Sequence, residues 1–380
     1  MQAAQDLGVT THWRAADIAR IDALPLPEIP VIGAAQAVRV LDGIDLWDMW
    51  PVCLSDGTTA DFDGQSLWMI LSASTNPNPD LRHDVARIRL MSQTGDGWHD
   101  HGNLLPDGFA PGTREWAGSA VFDPATSVLT LYFTSTGRRS DPFSFEQRMF
   151  ATYATLSMAS DKIVVGEWSS PTEIFTSDGD HYVDTCQTAG GPGLIKGFRD
   201  PGYFRDPADG REYMLFTGSD GRSSHSHNGV IGLAERVDGA WRLHPPMISG
   251  DGVNNEFERP HVVCRDGFYY LFWSTQRHVF APGGPSGPNG LYGMVADNIG
   301  GPYRPLNGTS LVAANPRAEP FQCYSWLVTG SLDVVSFVDL WGMQGRTRDT
   351  HPETLATQFG GTPAPVFRIA LDGERTSLVR

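Results

Sequence analysis

The chain has 380 residues, 40% of them hydrophobic, with 44 acidic against 28 basic residues and a formal net charge of −16. Such a chain can bury a large core, and its surplus of negative charge repels polyanions, which argues against nucleic acid or an anionic membrane face as a partner. A neutral substrate is left open, and the acidity taken alone reads as a solubility charge.

Residues 1–11 are polar and lack the apolar core of a cleavable secretion signal. No stretch approaches the ~20 consecutive apolar residues that a spanning helix needs. The expectation is a soluble protein, cytoplasmic or exported by a route that leaves no cleavable signal here. Helical periodicity is visible only near residues 13–23. After that come short runs at 66–74 (SLWMILSAS), 85–92 (VARIRLMS), 128–135 (VLTLYFTS), 212–218 (EYMLFTG), 268–275 (FYYLFWST), 290–296 (GLYGMVA), 334–340 (VVSFVDL) and 365–371 (PVFRIAL). Each has strand length, is rich in β-branched or aromatic residues, and is bounded by turn formers. The fold class predicted is all-β.

Three of these runs are similar to one another: LYFTS at 131–135, MLFTG at 214–218 and YLFWS at 270–274. A turn also recurs, as Asp96-Gly97-Trp98 and as Asp238-Gly239-Ala240-Trp241. The recurrence favours repeated four-stranded sheets, as in a β-propeller, over one large β-sandwich. No low-complexity linker divides the chain, so residues 1–380 read as one domain, with 1–40 as an N-terminal segment packed on it. Cys53, Cys186, Cys264 and Cys323 are far apart and form no C-x-x-C pair, which argues against a zinc knuckle or a dithiol redox site. Cys264 and Cys323 lie in apolar runs and read as buried thiols, although four cysteines leave up to two disulfides open. Neither a G-x-G-x-x-G after a strand nor a Walker loop is present, and no cofactor is expected.

Three segments combine acids with aromatic or cationic neighbours. Asp48 stands between Trp47 and Trp50-Pro51; a buried, unpaired carboxylate there is costly, and taken alone the residue reads as a turn or cap. Arg199-Asp200 precedes Pro201 and follows Phe198, which by itself fits a structural ion pair. Glu256 and Glu258 alternate along what reads as an extended strand and so share a face. Two acids on one face repel, which raises one pKa unless a cation intervenes; Arg259 is adjacent but turns to the other face of a regular strand. A raised glutamate suits a general acid, and paired carboxylates are the equipment of a glycosidase, one attacking the anomeric carbon and one protonating the leaving oxygen.

Taken together and in order, Trp47-Asp48 with Trp50-Pro51, Thr113-Arg114-Glu115-Trp116-Ala117-Gly118, Phe198-Arg199-Asp200-Pro201, Glu256-Phe257-Glu258-Arg259-Pro260-His261 and Pro320-Phe321-Gln322-Cys323-Tyr324-Ser325 resemble the levansucrase and inulosucrase family of glycoside hydrolases (family sixty-eight), in its compact Gram-negative branch. The resemblance runs from about residue 13 to the C-terminus. The Asn-Asp-Pro-Asn-Gly and Glu-Cys motifs of the sister invertase family are not present. The resemblance implies a five-bladed β-propeller with a deep central pocket, Asp48 as nucleophile, Glu258 as acid/base and Asp200 as the group that holds fructosyl hydroxyls and stabilises the transition state. It implies that Trp47, Trp116, Ala117 and Arg199 line the fructosyl pocket, and that Glu256, Arg259 and Tyr324 bind the glucosyl side. Trp116 and Tyr324 taken singly read as core packing.

Two positions depart from the family. Asn255 stands where relatives usually carry an aspartate, which in Gram-positive members supports a calcium site; the expectation here is no metal. Gln276 aligns with an arginine or histidine that favours chain growth, with Arg277 and His278 immediately following. Glutamine can hydrogen-bond a sugar but carries no charge. The reading is therefore a retaining β-fructofuranosidase acting on sucrose, with fructooligosaccharides as further partners and hydrolysis or short-chain transfer ahead of polymer. A levansucrase making β-2,6 fructan is its first rival. A furanosidase for arabinan or xylan and a non-catalytic sugar-binding propeller follow.

Overall fold

A computed structural model describes residues 7–159, 162–185 and 195–379. Its strands fall into five consecutive antiparallel groups. The first is Ile44–Cys53, Gln65–Ser74, Arg87–Thr94 and Gly97–Asn103. The second is Arg114–Asp123, Val128–Thr136 and Gln147–Ala159, with Lys162–Val165 and Thr172–Phe175 both paired to the last. Phe198–Arg205, Glu212–Ser219, Gly229–Val237 and Ala240–Ser249 form the third. Glu258–Arg265, Phe268–Thr275 and Gly290–Ala296 begin the fourth, and Cys323–Val328 and Asp333–Leu340 begin the fifth.

The first strand of each group touches the first strand of the next, and the fifth closes back on the first. Between the first and second groups the contact becomes a short parallel ladder, Val52 and Cys53 on Ala120 and Val121. Between the third and fourth it needs a glycine: a Cβ at Gly202 would stand 2.5 Å from the Pro260 carbonyl oxygen. Apolar side chains fill the space between groups. Trp13, for example, meets Phe257, Trp273 and Tyr292 edge-on, which ties the N-terminal segment to the fourth group.

Six of the eight predicted runs lie wholly in strands and two, 85–92 and 365–371, start two residues before theirs; the three similar ones occupy the same place, the second strand of the second, third and fourth groups. The recurring Asp-Gly turn closes the outermost hairpin of the first and third groups. The helical stretch near 13–23 is split into a helix, Ala15–Ala19, and a 3-10 turn, Ile21–Ala23. Cys323 is buried, but Cys264 keeps partial exposure because its strand ends beside a second cavity, and both are free thiols, as is Cys53. Cys186 lies outside the described residues.

Candidate active site

The first strands of the five groups each carry an irregularity at the same level. The pairing register slips at Asp48, at Ala117, between Arg199 and Gly202, between Glu258 and His261, and between Tyr324 and Leu327. Bulges of this kind re-aim side chains. Three of them hold a non-glycine residue at positive φ: Asp200 at 61°, Arg259 at 53° and Ser325 at 59°. Such conformations are disfavoured and concentrate at functional sites. Prolines follow two of them, Pro201 and Pro260, where a missing N–H costs no ladder bond because the strand edge faces the central channel.

The bulges converge on a cavity of about 300 Å³. Every residue expected to act in catalysis or substrate binding lines it: Trp47, Asp48, Trp116, Ala117, Arg199, Asp200, Glu256, Glu258, Arg259, Gln276 and Tyr324. A larger cavity of about 560 Å³ opens on the other end of the channel, and Asp200 and Arg259 border both, forming the floor between them. Two expectations change. Strand structure begins at Glu258, so Glu256 precedes the strand instead of lying in it. Arg259 does not turn away from Glu258, because its positive φ breaks the alternation and brings both to the cavity.

Cations separate the carboxylates. Arg199 donates to Glu258 Oε1 at 2.9 Å, and its guanidinium stands 3.7 Å from Glu256 and 3.8 Å from Asp200. The cation between the two glutamates is thus Arg199, not Arg259. Its charge is reinforced by these acids, so it titrates above the usual arginine range despite burial. Tyr324 donates its hydroxyl to Glu258 Oε2. Arg259 holds the floor, donating to the Ser325 carbonyl at 2.9 Å, to Ser325 Oγ at 2.8 Å and to the Met49 carbonyl. His261 braces that bulge from beneath, with Nδ1 2.9 Å from the Arg259 carbonyl and Nε2 accepting from the Val328 N–H at 2.8 Å. Burial lowers this imidazole to about 4, so it is neutral, and the two contacts require the Nδ1–H tautomer.

Asp48 and Asp200 are both pushed upward by burial. For Asp48 the pull of Arg259 and a hydrogen bond from Ser325 oppose the rise. Asp200 reaches about 6 against the opposing charge of Arg199. Its Oδ2 accepts from Thr217 Oγ1 at 2.9 Å and from the Arg259 N–H at 3.2 Å, which fixes the carboxylate in one orientation.

Several lining residues were not anticipated. The 3-10 turn Pro79–Asp84 supplies Arg82 and His83, and the His83 ring stands between Trp47 and Trp116 at 5.8 and 6.5 Å. Its carbonyl accepts from Trp116 Nε1 at 3.1 Å. A run of charged residues just after Asn-Pro-Asn-Pro was the only available signal, and it reads as an ordinary surface turn. His278 also lines the cavity, whereas Arg277 does not. At Asn255, Oδ1 accepts from Lys196 Nζ at 2.9 Å, and the same ammonium reaches Asn228 Oδ1 and the Ser226 carbonyl. An ammonium on these oxygens repels a divalent ion, so these residues do not suit a calcium site.

A closed ring of strands around a pocket of carboxylates, guanidinium groups and tryptophan faces defines a carbohydrate-cleaving enzyme. Sequence comparison gives the family: the profile described as Levansucrase/Invertase matches residues 2–230 and 222–380, and the chain belongs to that family of glycoside hydrolases and fructosyltransferases. It is 31% identical to levansucrase LscB of Pseudomonas savastanoi pv. glycinea, over 96% of this chain and 90% of that protein. It is 32% identical to a levansucrase of Erwinia amylovora, over 97% of this chain and 94% of the relative. Among solved structures it is similar to an inulosucrase from Halalkalicoccus jeotgali bound to kestose, with a TM-score of 0.88, 34% identity and coverage of 97% and 95%. The levansucrase of Gluconacetobacter diazotrophicus shares the fold, with a TM-score of 0.83 at 24% identity and coverage of 100% and 92%.

Proposed function

We propose that the protein is a retaining β-fructofuranosidase and fructosyltransferase that cleaves sucrose, built as a single five-bladed β-propeller on which residues 1–40 pack. The observation that carries the reading is that Asp48, Asp200 and Glu258 border one cavity, with Arg199 and Arg259 between them. Asp48 attacks the fructosyl C2 as the C2–O bond to glucose breaks, and Glu258 gives its proton to the departing oxygen. The ionised Glu258 then takes a proton from water or a sugar hydroxyl, whose oxygen attacks C2 and releases Asp48. Positive charge develops at C2 and the ring oxygen in both steps; Asp200, fixed by Thr217 and the Arg259 N–H, answers it. Trp47 and Trp116 offer flat apolar faces to the sugar ring, and Gln276 and Tyr324 stand on the glucosyl side with Glu256.

The second reading, a levansucrase making β-2,6 fructan, is favoured by His278. This imidazole borders the cavity beside Gln276 and restores a ring nitrogen on the acceptor side. Incubation with sucrose, with glucose, fructose and product size measured over time, tests both. Equal glucose and fructose supports the hydrolase. Glucose in excess supports transfer, with product length separating oligosaccharides from polymer. No glucose sinks the sucrose assignment, as does an Asp48→Ala variant with undiminished turnover.

A further inference from the structure

The cavity wall carries a further carboxylate that the mechanism above does not use. Asp339 lies near the end of the strand Asp333–Leu340, two residues after Phe337, and the period of two turns both side chains to the cavity. Its backbone N–H donates to the Gln322 carbonyl at 2.8 Å. Among the described residues its carboxylate accepts no hydrogen bond and has no cationic nitrogen within 4.0 Å.

The cations whose charge acts on it are Arg82 and Arg348, and each is anchored elsewhere. The Arg82 guanidinium lies 4.6 Å from the centre of the Phe359 ring, 5.4 Å from Trp47 and 5.9 Å from Phe337, and donates to the Pro79 carbonyl at 2.8 Å. Arg348 is bonded to Asp80. The two cations therefore hold the field around Asp339 without capping it. The side chain keeps partial exposure to the cavity, so its acceptor sites remain for whatever fills it. The location is on the nucleophile's side: Asp339 and Asp48 feel each other's charge, and Arg82 bridges from the Asp339 neighbourhood to Trp47. On the reading above, Glu256 and Gln276 face the glucosyl moiety, and Tyr324, cross-strand from Phe337, stands between them and Asp339. A sugar hydroxyl is the neutral donor such a site fits.

We propose that Asp339 is a substrate-binding residue that accepts a hydrogen bond from a hydroxyl of the fructosyl ring; this rests on the sucrose reading above. Truncating a charged acceptor that meets a substrate hydroxyl costs about tenfold to hundredfold in kcat/KM.

The test uses wild type, Asp339→Ala and Asp339→Asn on sucrose and on sucrose analogues in which one fructosyl hydroxyl at a time is replaced by hydrogen. Wild type is expected to discriminate against at least one deoxy analogue by about tenfold or more. Asp339→Ala should lose about that factor on sucrose and turn over sucrose and that analogue alike. Asp339→Asn, which keeps one acceptor oxygen and the side-chain volume, should fall between them and stands in if the alanine variant does not fold, as judged by thermal melting. Raffinose, altered only on the glucosyl side, should show the same loss as sucrose. Wild-type discrimination retained in either folded variant, or no wild-type discrimination against any analogue, overturns the assignment alone. No wild-type turnover of sucrose overturns the underlying reading and the assignment with it.

Discussion

Nη2 of Arg199 stands 2.9 Å from Oε1 of Glu258, while the same guanidinium reaches toward Glu256 and Asp200. One planar cation thus sets the spacing of three acids. A lysine keeps the charge but not the fork, and can satisfy one carboxylate at a time. Arg199→Lys is expected to lower kcat/KM for sucrose by at least about a hundredfold, mostly in kcat, because Glu258, the proposed acid/base, loses its position. Steady-state kinetics beside a thermal melt check this. Activity within about threefold of wild type would show that Glu258 is held by other groups.

Asp200 gives a prediction about stability. Its folded pKa of about 6 lies above the ordinary 3.8, so the folded state binds this proton more tightly than the unfolded one. Stability from this group is full below about pH 4 and is lost as pH rises through about 6. Above that the ionised, buried carboxylate is a cost. Asp200→Asn keeps an oxygen for Thr217 and the Arg259 N–H but carries no charge. It is expected to abolish turnover while stabilising the fold by about 1–3 kcal/mol at pH 7.5, with the gain vanishing at pH 4. Melting at both pH values decides it; an equal gain at both would point to a cause other than the buried charge.

His261 has the opposite sign. Its folded pKa of about 4 lies below the ordinary 6.5, so its contribution is full above pH 6.5 and is lost as pH falls toward 4. His261→Ala removes the acceptor for the Val328 N–H and the donor to the Arg259 carbonyl. The expected cost at pH 7 is about 2 kcal/mol of stability, with a lower kcat because Arg259 loses its brace. If melting and kcat at pH 7 both match wild type, the bulge stands without it.

The second strands of the groups were legible in the sequence, and the first strands were not. Glu212–Ser219 and Phe268–Thr275 are near-continuous apolar runs, because both faces are covered by neighbouring groups. Phe198–Arg205 and Glu258–Arg265 mix acids, arginine and proline, and their bulges erase the period of two. The rule that locates a strand fails where the chain is bent to aim side chains inward. The carboxylates were found through their motifs, whose neighbours survive that bending. Asp339 and His83 were not. Asp339 sits at the end of an ordinary apolar strand, and His83 sits in a turn whose partners, Trp47 and Trp116, are distant in sequence.

Lys196 ties Asn228 to Asn255, just ahead of Glu256. Lys196→Met leaves those amide oxygens without their donor. It is expected to lower the melting temperature by several degrees and to raise KM for sucrose through Glu256. Chelator should leave wild-type turnover unchanged, since an ammonium and not a divalent ion bridges these side chains. A chelator-sensitive wild type would reverse that conclusion.

The balance between water and sugar as acceptor should turn on Gln276 and His278. Both border the cavity, and Gln276 acts on the Tyr324 hydroxyl, opposing the rise that burial gives its pKa; that hydroxyl donates to Glu258. Gln276 is therefore tied to the acid/base, whereas His278 presents a ring lowered in pKa by burial and neutral at pH 7. An incoming sugar hydroxyl needs a partner on that side to compete with water, which needs none. His278→Ala is expected to cut the transferred fraction of fructose at high sucrose about threefold or more with little change in total glucose release, because one hydrogen bond to the acceptor is worth about 1 kcal/mol. Gln276→Ala should lower glucose release itself, because it alters the surroundings of the Tyr324 hydroxyl that holds Glu258. Free fructose against free glucose, measured across sucrose concentrations for both variants, separates the two effects. An unchanged ratio in His278→Ala would leave the acceptor side to Gln276 and Tyr324.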